Sequence, residues 1–181
     1  PDCHMPYRRS GSYKISVHDV TSPVKQDFVA CAQCHTESAE WIRKQMFTIQ
    51  ERTSSMLNRA GYAAATAAKL FEIVHENRGK GTKINDALYA KAKESYIQGA
   101  LRLNFVSAEN SMGFHNPTEA ARILSDSTAF ANKSEALLRQ ALAEAKISVP
   151  EKINLNLAKY MSNRGKNKRN FVPNQEFKDP Y

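Results

Sequence analysis

Residues Cys31-Ala32-Gln33-Cys34-His35 form a C-x-x-C-H motif, the densest group of reactive side chains in this 181-residue chain. Two thiols three positions apart can add to the two vinyl groups of one haem, and the adjoining imidazole can then reach the iron as an axial ligand. Pro1-Asp2-Cys3-His4 reads as the last four residues of a second such motif, with its first Cys expected before residue 1. All three cysteines then serve one chemistry, c-type haem attachment. Two attached haems imply electron transfer.

The same residues admit two other readings. Zinc takes four N/S ligands, commonly as two C-x-x-C or Cys/His pairs, and only Cys3 could join Cys31 and Cys34 on the thiol side. A thioredoxin-like dithiol would follow a strand in a βαβ pattern, whereas the sequence after Cys34 has helical periodicity. Haem attachment accounts for more of the pattern than either.

Composition bounds the partners. The chain has 26 Lys+Arg against 18 Asp+Glu, a formal charge of +8. A basic balance can serve nucleic acid or an anionic membrane, but each haem brings two propionates that this count omits, so no nucleic-acid partner is expected. No apolar run reaches the 18 or so residues of a bilayer span. With no Met start, no signal peptide and half a haem motif at residue 1, the sequence reads as the C-terminal part of a longer protein. Haem is attached to such motifs outside the cytoplasmic membrane, which makes the periplasm the expected compartment.

The elements that must position these residues follow from periodicity. Residues 5–30 read as irregular, with turns at Arg8-Arg9-Ser10-Gly11-Ser12 and Ser22-Pro23. A stretch this long without regular structure needs a ligand to organise it, and haem would supply that core. From Thr36 a helix of about forty residues is expected. Its seam runs through Ile42, Met46, Ile49, Thr53, Met56, Ala60, Ala63, Ala67, Leu70 and Val74, alternating four and three as a heptad does. The alanine-rich middle would let a partner helix approach closely. Asn77 to Gly81 ends it with basic residues and a glycine cap.

A second helix is expected from Asn85 to Met112, with Leu88, Ala92, Tyr96, Gly99, Leu103 and Val106 on one face. After the break Gly113-Phe114-His115-Asn116-Pro117, Asn116 fits an N-cap, Pro117 the first helical position and Glu119 the third. The third helix would use Ala120, Leu124, Ala131, Leu138, Leu142 and Ala145 and stop near Lys146, before Val149-Pro150. Residues 151–161 could form a short amphipathic helix, and a basic, aperiodic tail follows. The expected organisation is a haem-binding segment at 1–38, a long-helix bundle and dimerisation region at 39–161, and a tail at 162–181 that packs along the surface or docks an acidic partner. The fold class is mainly α: an irregular, haem-wrapping N-terminal segment followed by long antiparallel helices.

Two histidines outside the motifs are candidate iron ligands. His18 lies in the irregular stretch, and His115 stands at a capped helix junction, which gives a side chain a fixed direction. His75, near the end of the first long helix, reads as a surface or packing residue.

Cys3-His4-Met5-Pro6, Lys14 to His18, Cys31 to Thr36 and Gly113 to Pro117 together resemble the C-terminal part of pentahaem cytochrome c nitrite reductase. The resemblance spans essentially the whole chain, and the helices share only length and pattern with the family. It implies that Cys3 and His4 serve the fourth haem, as attachment and proximal ligand, and that Cys31, Cys34 and His35 serve the fifth. It implies His18 as the distal ligand of the second haem and His115 as that of the fourth, so that His4 and His115 form the one axial pair completed here.

The family reduces nitrite to ammonia with six electrons at a haem bound through a C-x-x-C-K motif, its open face lined by an Arg, a Tyr and a His. The resemblance places that centre, and a possible calcium site, before the fourth haem motif, so no catalytic residue is expected in this chain. It implies haem c as cofactor, two attached here and ligands to a third out of five, with this stretch carrying electrons. It further implies a homodimer formed through the long helices, for which Ile42 to Val74 is the candidate contact; the same seam could instead pack against residues 85–112 within one chain, and a bundle that also presents one helix to a twin combines the two. A redox partner cytochrome is implied too, either a membrane-anchored tetrahaem quinol dehydrogenase or a soluble multihaem donor. A non-catalytic bis-His multihaem carrier, an octahaem relative and a zinc-binding helical interaction module remain as alternatives.

Overall fold

The computed structural model describes residues 3–157. The chain divides between Thr53 and Ser54 into two compact units. The first opens with a hairpin, β1 (Tyr7–Ser10) paired antiparallel with β2 (Tyr13–Ser16) in the register Tyr7↔Ser16 to Ser10↔Tyr13. This corrects the expectation of an irregular stretch. Arg8 to Ser10 belong to a strand, and the turn is only Gly11-Ser12. Gly11 supplies the left-handed φ of +61° that a two-residue hairpin loop needs at its first position. Val17 N–H to Pro6 O at 2.9 Å extends the pairing by one bond, and Ser16 Oγ donates to Met5 O at 3.3 Å.

Two single 3-10 turns follow, Pro23–Gln26 and Cys31–Gln33. Pro23 sits at the first turn, where its missing N–H costs nothing. Asp27 and Phe28 both take left-handed φ, at 47° and 58°, and reverse the chain between the turns. Phe28 is buried, and the Arg43 guanidinium lies 5.2 Å from its ring centre.

The long helix α1 runs Ala39–Gly79, close to the expected span. Met46, Thr53, Ala60, Ala67 and Val74, each seven residues from the next, are all buried, as a heptad seam requires. Its end is a Schellman motif: Thr82 N–H reaches Asn77 O at 3.0 Å, Gly81 N–H reaches Arg78 O at 2.9 Å, and Gly81 has φ +84°.

Helix α2 spans Asp86–Ala108, capped by Asn85, whose side chain accepts from Ala87 and Leu88 N–H. Helix α3 spans Pro117–Glu144, capped by Asn116 accepting from Glu119 N–H at 3.1 Å. The buried positions of α3 are Ala120, Leu124, Ser127, Ala131, Ser134, Leu138, Ala141 and Leu142. The two serines complete the four-three alternation, and apolarity alone does not reveal them. Ser127 Oγ donates to Gly99 O and Ser134 Oγ to Ala92 O, both at 2.8 Å, which runs α2 and α3 antiparallel. A Cβ on Gly99 would stand 3.0 Å from Ser127 O, so these backbones nearly touch. Helices α2 and α3 are therefore a close pair; Ala60 and Ala67 of α1 are buried as well, Ala60 beside Val106, Ala120 and Leu124.

The second unit has two apolar clusters. Leu70, Val74, Ile84, Ala92, Leu138, Ala141 and Leu142 form one, and Ala60, Val106, Ala120 and Leu124 the other. Beyond α3 the chain folds back: Ile147, Val149 and Ile153 pack on the first cluster, and Arg139 donates to Pro150 O and Glu151 O. No helix is assigned over 151–156. The remainder of the expected 151–161 helix, apart from Leu157, and the whole basic tail lie outside the described residues. Among the described residues no helix is long and apolar enough to cross a membrane.

Candidate haem site

The Cys31–Gln33 turn places three side chains on one side of a single coil. Cys34 N–H donates to Cys31 O at 3.1 Å, and His35 N–H donates to the same carbonyl at 2.8 Å. Residues i, i+3 and i+4 of such a turn are neighbours on its surface. Cys34 and Cys3 are exposed, Cys31 is half-buried, and all three are free thiols. Burial and the neighbouring Cys3 push the Cys31 thiol above its ordinary value. Among the described residues no three His, Cys, Asp or Glu side chains converge as a zinc site would require.

The donor set fits haem. Two thiols and an imidazole leave one coil together, and the unit that carries them keeps large apolar side chains facing outward. Tyr7, Tyr13, Ile15, Val20, Val29, Trp41 and Phe47 are exposed there, while Phe28 and Met46 are its buried large hydrophobics. A unit of this size is close to the limit of what a core can hold together, and a flat apolar macrocycle is the surface such residues can pack on.

The imidazoles differ in what holds them. His4 Nδ1–H donates to Thr21 O at 3.0 Å, a backbone anchor that fixes the ring. His35 Nδ1 stands 3.5 Å from Glu37 Oε2, a looser ion-pair contact. His18 is an exposed loop residue whose carbonyl accepts from Val20 N–H at 3.1 Å. His75 Nε2 lies 3.2 Å from Tyr89 Oη beside an open cavity of about 360 Å³ lined by Phe71, Tyr89, Lys93 and Tyr96.

His115 is held most closely, by a residue that periodicity hid. Helix α2 was expected to reach Met112 but ends at Ala108, because Glu109 turns extended and its carboxylate takes over the loop's N–H groups. It accepts from Ser111 N–H at 2.9 Å, Ser111 Oγ–H at 2.8 Å, Gly113 N–H at 2.9 Å and His115 Nδ1 at 3.0 Å. Burial pushes the carboxyl up, but the bonds from Gly113, Ser111 and His115 outweigh it and bring Glu109 down to about 2. The available signal was Glu109-Asn110-Ser111, an acid two residues before a Ser in a stretch closing on Gly113.

A coil that offers two thiols and an imidazole, in a chain of long helices, defines a c-type cytochrome. Residues 1–181 match the family model described as Cytochrome c552. The chain belongs to the cytochrome c552 family, and that membership implies haem c. It is 36% identical over 143 residues to cytochrome c nitrite reductase subunit NrfA of Nitratidesulfovibrio vulgaris, a match covering 77% of this chain and 27% of that protein. It is 29% identical over 185 residues to cytochrome c-552 of Bacteroides fragilis, covering 95% and 36%. Among solved structures, cytochrome c nitrite reductase from Desulfovibrio desulfuricans, described as a catalytic subunit with two calcium sites, matches with a TM-score of 0.68 at 34% identity. That match covers 82% of this chain and 32% of the other, and the shared fold is the mainly α multihaem cytochrome fold. The chain thus spans between 27% and 36% of the length of these relatives.

Proposed function

We propose that this chain is the electron-transfer and dimerisation part of a periplasmic multihaem cytochrome that reduces nitrite to ammonia with six electrons. The observation that carries the reading is the Cys31–His35 coil within a chain similar to nitrite-reductase subunits over about four fifths of its length. Haem c supplies one-electron redox chemistry at each iron. Cys31 and Cys34 would hold one haem and His35 would bind its iron; Cys3 and His4 would serve a second. His18 and His115 would act as distal ligands. An iron with imidazoles on both faces has no position left for substrate, so such haems pass electrons on. Nitrite chemistry, and calcium if it is used, would belong to the parts of the relatives that this chain does not span.

The homodimer reading gains support from α2. The α1 seam at Ala60, Ala67, Leu70 and Val74 is buried within the chain, whereas Ile97, Leu101 and Phe105, four residues apart on α2, are exposed. An exposed apolar stripe of that kind is a surface that association would cover. A redox partner cytochrome would deliver the electrons.

The test is the full haem-loaded protein, assayed for ammonia formed from nitrite with a reduced dye as donor. Five haems per chain and six electrons consumed per nitrite are expected. A haem count of eight, or bound haem without nitrite turnover, would replace the reading with an octahaem relative or a non-catalytic carrier.

A further inference from the structure

Haem attachment and axial ligation leave Glu109 without a task, yet four hydrogen bonds converge on its carboxylate. We propose that Glu109 is a positioning residue for His115, holding the imidazole as the Nδ1–H tautomer so that Nε2 presents its lone pair to a haem iron. The inference rests on the reading of His115 as an axial ligand.

The geometry leaves the tautomer little choice. Glu109 Oε1 already accepts Ser111 N–H at 2.9 Å, and Oε2 accepts Gly113 N–H at 2.9 Å and Ser111 Oγ–H at 2.8 Å. Both oxygens are therefore acceptors. The ring nitrogen 3.0 Å from Oε1 must be the one that carries hydrogen. A neutral imidazole has one N–H and one lone pair, so the lone pair falls on Nε2.

The carboxylate is in turn fixed by backbone. Glu109 leaves α2 with φ −72° and ψ 128°, and Met112 and Gly113 take left-handed φ of 52° and 78°, curling the main chain around it. Ser111 closes the ring, its Oγ donating to Glu109 and accepting from His115 N–H at 3.0 Å. Ordering the loop after α2 would need only the amide bonds. The contact to the ring of His115 goes beyond ordering the loop and sets the direction of a metal-binding nitrogen.

This partner also changes what the ligand does. His4 is anchored by a neutral carbonyl, that of Thr21, whereas His115 is anchored by a carboxylate. A carboxylate draws the Nδ1 proton harder and makes Nε2 a stronger donor. Stronger donation favours ferric over ferrous iron and lowers the reduction potential of the haem that His115 binds.

The experiment is a redox titration of the full haem-loaded protein followed by visible absorption and low-temperature electron paramagnetic resonance. His115→Ala should convert one low-spin haem to high spin. Glu109→Gln should leave that haem low-spin and shift its one-electron equilibrium about tenfold toward the reduced form, or 59 mV. Glu109→Asp keeps the charge and should stay nearer the parent. If His115→Ala leaves every haem low-spin, the ligand reading fails and this inference with it. If His115→Ala converts a haem while Glu109→Gln moves its equilibrium by less than about twofold, the ligand stands and the role of Glu109 falls. An Asp variant shifted further than the Gln variant overturns the proposal as well.

Discussion

The two units solve the problem of holding a chain together in opposite ways. The helical unit fills itself: two apolar clusters and the α3 seam from Ala120 to Leu142 bury the side chains its periodicity points inward. The unit ending at Thr53 has a hairpin of two four-residue strands, two 3-10 turns, the start of α1 and a row of outward-facing Tyr, Ile, Val, Trp and Phe side chains. One sequence thus contains a region whose amino acids specify their own core and a region whose amino acids specify a surface for something else. On the proposed reading, the difference locates where haem would matter to folding as well as to chemistry.

The sharpest way to break that comparison is to remove the attachment. In the haem-loaded protein, Cys31→Ser with Cys34→Ser should lose one covalent haem per chain and strip hydrogen-exchange protection from residues 7–35, with the helices α2 and α3 unchanged. Equal protection of 7–35 in the variant would mean that this unit is self-sufficient after all. Next in size, Leu138→Ala opens a cavity at a fully buried position of the helical unit and should cost about 2–5 kcal/mol in thermal or denaturant unfolding.

Gly99→Ala is expected to cost less. Its Cβ meets Ser127 O at 3.0 Å and Ala131 N at 3.3 Å, so α2 and α3 must part, at about 1–3 kcal/mol. Better helix propensity returns up to about 1 kcal/mol. A stabilised variant would show that the two helices can separate freely.

The smallest effect is one of pH. The folded-state value of Glu109 is about 2 against an ordinary 4.5, so its contribution is complete above 4.5 and is lost as pH falls through about 2. Near neutral pH the junction should be insensitive. Exchange of the Gly113 and Ser111 amides should rise on acidification from 4.5 toward 2, relative to intrinsic rates, in the parent and stay flat in Glu109→Gln; the same profile in both would remove Glu109 as its cause.

The helices were legible because three signals agreed: a four-three apolar rhythm, Asn85 and Asn116 as caps, and Gly81 as a stop. What stayed hidden was chosen by side chains bonding to the main chain. Ser127 and Ser134 look out of place in an apolar seam until their hydroxyls are seen to meet carbonyls of α2. Glu109 fits the helical rhythm, and only its capture of four donors from Ser111, Gly113 and His115 shows that α2 has already ended. The hairpin had one signal, the alternation of Tyr13, Ile15 and Val17 with Lys14, Ser16 and His18, but its partner strand Tyr7–Ser10 is polar apart from Tyr7 and both strands are largely exposed. At the haem site, C-x-x-C-H was readable as chemistry, whereas the anchors of His4 and His115 depend on residues 17 and 6 positions away.

The Gly99 contact has a mechanical consequence. Two helices whose main chains interlock at a glycine, and whose serines index onto particular carbonyls, cannot ratchet by the 5.4 Å of one turn without losing both bonds and driving a side chain into the opposing backbone. The corner joining them, residues 109–116, is therefore clamped at a fixed height. On the proposed reading, a group presented from that corner would be held in place by helix packing and not by its own contacts alone.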